Sequence, residues 1–121
     1  MATVLVVDDE YFIRDVTVSM VEEWGHVALS ADSVESAMLH LSSMKRIDGL
    51  ITDIRLNAAR HGGFELAHEA RKFRPNLPVL YVSGLSLTNE TTALLVDRGQ
   101  MLTKPYSTEQ LQNALEMLLA A

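Results

Sequence analysis

The stretch Thr3-Val4-Leu5-Val6-Val7-Asp8-Asp9-Glu10 decides the fold. A β-branched apolar run ends without transition in three acids. A strand with one wet face would alternate apolar and polar residues; an unbroken apolar run instead marks a strand covered on both faces, as in parallel sheets flanked by helices. The pattern recurs along the chain. Residues 47–52 read as a strand that runs into Asp53, residues 77–82 as the most apolar strand, running into Ser83-Gly84, and residues 100–103 as a weak strand that runs into Lys104-Pro105. A short strand is expected at 26–29.

Between these runs the periodicity is helical. Residues 11–24 place Ile13, Val16, Met20 and Trp24 on one face, and Gly25 is a good stop. Asp32 or Ser33 can cap a second helix whose apolar face is Val34, Ala37, Leu41 and Met44, with Lys45-Arg46 suiting its C-terminal dipole. Residues 55–63 read as a loop, 64–73 as an amphipathic helix, and Pro75-Asn76 as a break. A shorter fourth helix is expected at 88–96, stopped by Gly99. A fifth is expected from Ser107 to residue 119, opened by the Ser107-x-x-Gln110 capping box.

Five βα units in 121 residues favour an open, doubly wound, five-stranded parallel sheet with five helices, since a closed barrel needs about twice the length. The whole chain, 1–121, is expected to be one domain with no output domain attached. In such sheets ligands sit at the carboxyl ends of the strands. The polar residues there are Asp8, Asp9, Asp53, Ser83 and Lys104, so the pattern alone converges them on one mouth.

Composition narrows the chemistry. There is no cysteine, which excludes disulfides, thiolate metal sites and thiol nucleophiles. Ten basic residues stand against sixteen acidic ones, a formal net charge of -6, and the seven Arg and three Lys are scattered. That balance argues against direct binding of nucleic acid, which needs a basic face. Apolar runs such as Val4-Leu5-Val6-Val7 fall far short of the ~20 residues of a membrane helix, and the N-terminus lacks a charged signal start, so a soluble cytoplasmic protein is expected.

Three carboxylates gathered at neutral pH repel one another unless their pKa values rise or a cation neutralises them. All candidate ligands are oxygens, and His26, His40, His61 and His68 lack the spacing of a helical His pair, so Mg²⁺ is preferred over zinc. Mg²⁺ takes phosphate oxygen readily, which points to phosphoryl chemistry with a carboxylate as nucleophile. Lys104, Ser83 and a backbone N–H can share the charge on the phosphoryl oxygens. Each element has a plainer reading taken singly: a helix-dipole acid at Asp8-Asp9-Glu10, a loop-starting Asp53, an ordinary turn at Ser83-Gly84, a pre-helix bend at Lys104-Pro105. Their joint order, each at the end of a separate strand, makes coincidence improbable.

That order, Asp8-Asp9, Asp53, Ser83, Lys104-Pro105, resembles the receiver domain of two-component response regulators over essentially the whole chain. The resemblance implies a flavodoxin-like sheet of strand order 2-1-3-4-5. It implies that Asp53 accepts a phosphoryl group from a sensor histidine kinase or histidine phosphotransfer protein. It implies further that Asp9, Asp53 and the Arg55 main-chain carbonyl bind Mg²⁺ with help from Asp8, and that Ser83 and Lys104 hold the phosphoryl oxygens. A cis Lys104–Pro105 bond is expected, as is a downstream protein target on the fourth helix, fifth strand and fifth helix.

Two features depart from the family pattern. Receivers often read Asp-x-x-Met-Pro-x-x-x-Gly, whereas Asn57 stands in place of the proline here and Gly63 arrives two positions late. The usual switch aromatic, three residues before the lysine, is Met101, while Tyr106 follows the proline. Arg55 and Leu85 occupy positions that resemble those tuning dephosphorylation. The leading expectation is a phosphorylation-operated switch, not an enzyme acting on separate substrates; the alternative is a phosphorylation-independent interaction module on the same fold. A phosphatase using Asp8 would want a Gly-Thr after the second acid, which Glu10 lacks, and a flavin-binding domain would want a hydroxyl-rich loop where Asp8-Asp9-Glu10 repels phosphate.

Overall fold

The computed structural model describes residues 1–56, 62–84, 95–96 and 99–120. Its strands are β1 (Thr3–Val7), β2 (Val27–Ala31), β3 (Gly49–Asp53), β4 (Val79–Ser83) and β5 (Gln100–Thr103). All pair in parallel in one sheet of order β2-β1-β3-β4-β5. Four helices lie among the described residues: α1 (Tyr11–Glu23), α2 (Val34–Leu41), α3 (Gly62–Phe73) and α4 (Thr108–Ala120). The helix expected at 88–96 falls mainly on residues outside those described. No described helix is long and apolar enough to cross a membrane.

The uninterrupted apolar strands are explained by a core on each face. Side chains alternate across a strand, so Val4 and Val6 point one way and Leu5 and Val7 the other. Val4, Val6, Ile51, Leu80 and Val82 meet Val21 of α1 and Leu111, Leu115 and Leu118 of α4. Leu5, Val7, Leu50 and Tyr81 meet Ala37 and Leu41 of α2 and Phe64, Ala67 and Ala70 of α3.

Most boundaries follow the sequence, and the differences have physical reasons. Strand β2 is shifted to Val27–Ala31, because Val27 N–H bonds Ala2 and the ladder then runs in register from Thr3↔Val27 to Val7↔Ala31. Helix α1 ends at Glu23 with Gly25 at φ +91°, a left-handed stop that glycine adopts without strain. Its buried residues are Thr17 and Val21, whereas Val16 of the expected face is 39 % exposed. Helix α2 ends at Leu41, so Met44 is fully exposed and Lys45-Arg46 lie beyond its last turn. Ser33 is its cap, exchanging bonds with Ser36, while Asp32 accepts from the Ser36 hydroxyl. Helix α3 starts two residues early, at Gly62. The Ser107–Gln110 box caps α4: Ser107 N–H donates to the Gln110 side chain at 2.8 Å and Gln110 N–H to Ser107 Oγ at 3.1 Å.

Two local devices fix the two edges of the sheet. At the amino edge, Asp48 carboxylate accepts from Thr3 N–H at 2.8 Å while Asp48 N–H donates to Thr3 carbonyl at 2.7 Å, with Arg46 paired to the same carboxylate at 2.9 Å. Burial pushes the Asp48 carboxyl up, but the Thr3 and Arg46 hydrogen bonds and the Arg46 charge outweigh it, and the group sits below the usual carboxylate range. At the carboxyl edge, Gly63 N–H donates to Ile54 carbonyl at 2.8 Å, and a Cβ at Gly63 would lie 2.7 Å from Ile54 Cα and closer still to the Asp53 carbonyl. Only glycine lets α3 approach the end of β3 this closely.

Two outcomes follow. A depressed carboxyl contributes stability that is present above its unfolded pKa and lost as pH falls through its folded one. Asp48→Asn, which keeps the shape and removes the charge, is expected to cost about 1 kcal/mol at pH 7, with the difference starting to shrink as pH falls below about 4 and gone only below the folded pKa, read from denaturant melts across pH. Gly63→Ala is expected to cost about 1–3 kcal/mol by overpacking, read from urea melts.

Candidate functional site

Each strand delivers its polar end to the same mouth. Asp8 follows β1, with its backbone N–H held by Ala31 carbonyl at 3.2 Å and its carbonyl by the Arg14 guanidinium at 2.9 Å. Its carboxylate accepts from Glu10 N–H at 2.9 Å, a local turn that lifts the chain from β1 into α1. Asp53 is the last residue of β3. One carboxylate oxygen accepts from Arg55 N–H at 3.0 Å and the other pairs with Lys104 Nζ at 3.2 Å. Lys104 is fixed by its own backbone, whose N–H donates to Ser83 carbonyl at 2.7 Å, and the Lys104–Pro105 bond is cis. Ser83, at the end of β4, is buried.

The carboxylates of Asp8, Asp9 and Asp53 each offer an oxygen within 4.8 Å of the others. Three carboxylates against the single Lys104 ammonium leave a formal excess of two negative charges (3 − 1 = 2). Burial, with the charges of Asp53 and Asp9, raises the Asp8 carboxyl above its usual range, against the opposing pull of Glu10 N–H and Lys104. Partial burial pulls Lys104 down, but the charge and hydrogen bond of Asp53, with Asp8, hold the ammonium above the ordinary lysine value. Lys104 therefore stays charged at neutral pH.

A cleft of about 560 Å³ opens over this cluster, lined by Asp9, Asp53, Arg55, Ser83 and Lys104 among others. Its donor set fits a hard divalent cation: carboxylate oxygens only, mutually close, with two charges to balance. The residues singled out in the sequence, Asp8, Asp9, Asp53, Arg55, Ser83 and Lys104, are thus brought together. Leu85 and residues 57–61 of the longer loop lie outside the described residues.

The sequence reading missed two features. Beside the cleft runs an apolar groove of about 430 Å³ between α1 and the chain leading into α4, lined by Phe12, Ile13, Val16, Met20, Pro105 and Tyr106. Helical periodicity assigns Ile13, Val16 and Met20 to the core; Met20 packs there, but Ile13 and Val16 sit in the groove wall, and only the exposed Phe12 beside them signals it. The second is Gly63, whose late arrival in the motif conceals its close approach to Asp53.

Comparison with known proteins agrees with this geometry. Residues 4–116 match the family described as the response regulator receiver domain. The nitrogen assimilation regulatory protein NtrX of Azorhizobium caulinodans is 29 % identical over 121 residues, covering 95 % of this chain and 26 % of that protein. The probable transcriptional regulatory protein TcrX of Mycobacterium tuberculosis is 29 % identical over 119 residues, covering 97 % of this chain and 49 % of that one. The chain thus spans between a quarter and a half of these relatives. A crystal structure of a response regulator receiver protein from Sinorhizobium medicae superposes with a TM-score of 0.89 at 32 % identity, covering 99 % of this chain and 95 % of that one. With the strand order, the acidic mouth and the family match in agreement, the chain belongs to the response regulator receiver domains.

Proposed function

We propose that this domain is the phosphoacceptor of a two-component relay and that Asp53 carries the phosphoryl group. The observation that supports this reading most is the pairing of Asp53 with Lys104 at 3.2 Å inside a cluster of three carboxylates whose oxygens lie within 4.8 Å of one another. An isolated surface acid has no need of such company.

The donor is a phosphohistidine on a sensor kinase or a histidine phosphotransfer protein. In the transfer, the donor's P–N bond breaks with its electron pair retained by the imidazole nitrogen, and a P–O bond forms to an Asp53 carboxylate oxygen. Asp53 is held for this by Arg55 N–H on one oxygen, which leaves the oxygen now paired with Lys104 to be exposed when that ammonium turns to a phosphoryl oxygen. The Ser83 hydroxyl donates to a second phosphoryl oxygen. Asp8, Asp9, Asp53 and the Arg55 main-chain carbonyl would hold Mg²⁺, which when bound would supply charge neutralisation for the phosphoryl oxygens. The high pKa of Lys104 ensures that the ammonium arrives charged.

The domain does not turn over a separate substrate. Its reaction is with itself, and its output is a change in what it binds, with residues 1–121 acting as one receiver unit in the cytoplasm. The target surface is the one expected around the chain before β5, β5 itself and α4. Contact with nucleic acid, where the longer relatives' regulatory names suggest it, belongs to other parts of such proteins, since this chain carries a net charge of -6 and its basic residues are scattered.

The test is intact mass of wild type and Asp53→Asn after incubation with acetyl phosphate, with and without Mg²⁺. One hydroxylamine-labile phosphoryl group is expected on wild type with Mg²⁺ and none on Asp53→Asn; stoichiometric phosphate on Asp53→Asn would overturn the assignment. Mg²⁺ is expected to stabilise the fold by mass action, about 2.7 kcal/mol at a hundredfold excess over its Kd, read as a rise in Tm that Asp9→Ala abolishes. Lys104→Ala is expected to take up phosphate slowly while melting within a few degrees of wild type.

A further inference from the structure

Tyr81 is the one described tyrosine with no exposed surface, and its hydroxyl is spent on the chain rather than on solvent. It lies in β4 two residues before Ser83, and therefore on the same face of the sheet. Its ring is tilted at 46° against Phe64 of α3, with centroids 5.3 Å apart. Its hydroxyl accepts a buried hydrogen bond from Val96 N–H at 3.1 Å. Gly99 completes the clamp: a Cβ there would lie 2.9 Å from Tyr81 Cε2, and Gly99 N–H closes a turn onto Val96 carbonyl at 2.9 Å. The tyrosine thus joins the strand that presents Ser83 to Val96 and Gly99, just ahead of β5.

Its cross-strand partner in the ladder is Met101, which packs against the same core. A methionine has three rotatable bonds and conforms to whatever surrounds it, so it transmits little orientation. An aromatic ring clamped between Phe64 and Gly99, with a directional hydroxyl at its tip, transmits a great deal. The rigid aromatic of this layer is therefore on β4, and the flexible side chain is on β5. The end of β4 is also mechanically continuous with the cleft, since Ser83 carbonyl holds Lys104 N–H at 2.7 Å.

We infer that Tyr81 couples the occupancy of the cleft to the Val96–Gly99 turn, through the hydrogen bond between its hydroxyl and Val96 N–H. Recruitment of Ser83 and Lys104 by a phosphoryl group shifts the end of β4, and the bond two residues back loosens or tightens with it. Tyr81 touches neither phosphoryl group nor cation; it is a positioning residue acting through Ser83. The inference rests on the phosphoacceptor reading of Asp53, because it needs two states of the cleft between which the bond can differ.

The test is amide exchange of the full chain by NMR in Mg²⁺, with and without a steady excess of acetyl phosphate, with intact mass recorded on the same samples. In wild type the Val96 amide is expected to change its exchange rate about tenfold on phosphorylation, while the β1 amides of Leu5 and Val6 stay constant. Tyr81→Phe keeps the ring and removes the acceptor. It is expected to take up phosphate to the same extent, with Val96 exchanging fast in both states and its response lost. A purely structural tyrosine would leave Val96 exchange independent of phosphorylation in wild type, and that result overturns the inference whether or not the variant folds. A retained wild-type response in Tyr81→Phe overturns it as well. Phosphate uptake with an unchanged Val96 amide defeats the coupling alone, whereas absence of uptake defeats the phosphoacceptor reading and the coupling with it.

Discussion

Parallel pairing is the constraint on which the rest of the structure depends. Five strands that all run the same way, in register from β2 to β5, must all end on the same edge of the sheet. Return paths then have to cross a face, and each face acquires its helices and its own core. The apolar interior of the central strands β1, β3 and β4 is needed for that double cover, so polar chemistry is pushed to the strand ends. Asp8, Asp53, Ser83 and Lys104 come from four positions far apart in the chain, and no long-range device is needed to assemble them beyond the ladder itself.

What the ladder assembles is electrostatically unfavourable by itself. Asp8 is largely buried beside two further acids, and its carboxyl rises in response. Lys104 relieves part of the repulsion and is held by its backbone to the strand carrying Ser83, so the relief is positioned as well as charged. The site is a place where stability is sacrificed for chemistry, and the two well-packed cores on either side carry the fold regardless.

How much of this was legible in the sequence depends on which signals are local. Strand ends were legible because an apolar run stopping at an acid is a one-dimensional feature. The caps at Ser33 and Ser107 were legible for the same reason, although the choice between Asp32 and Ser33 needed the geometry of Ser36. Periodicity assigned α1 only in part: Met20 and Trp24 do pack against the core, but Ile13 and Val16 line the groove beside Pro105 and Tyr106, because periodicity finds a face and not what the face meets. Met44 was misassigned because no residue marks Leu41 as the end of α2. Tyr81 was hidden inside the most apolar strand, where nothing separates a tyrosine with a partner from one that merely packs. Gly63 was counted against a motif, but the distance that matters to it is through space, to the backbone of Asp53 and Ile54.

The excess of two negative charges at the mouth has a consequence for traffic around the domain. A focused negative potential lowers the local concentration of every free anion and slows its diffusional encounter, most strongly at low ionic strength. Nucleotides, inorganic phosphate and small phosphate esters are all anions, and the bare mouth disfavours them all. A divalent cation held by Asp8, Asp9 and Asp53 would cancel those two charges, so the cation would decide which small anions reach the mouth.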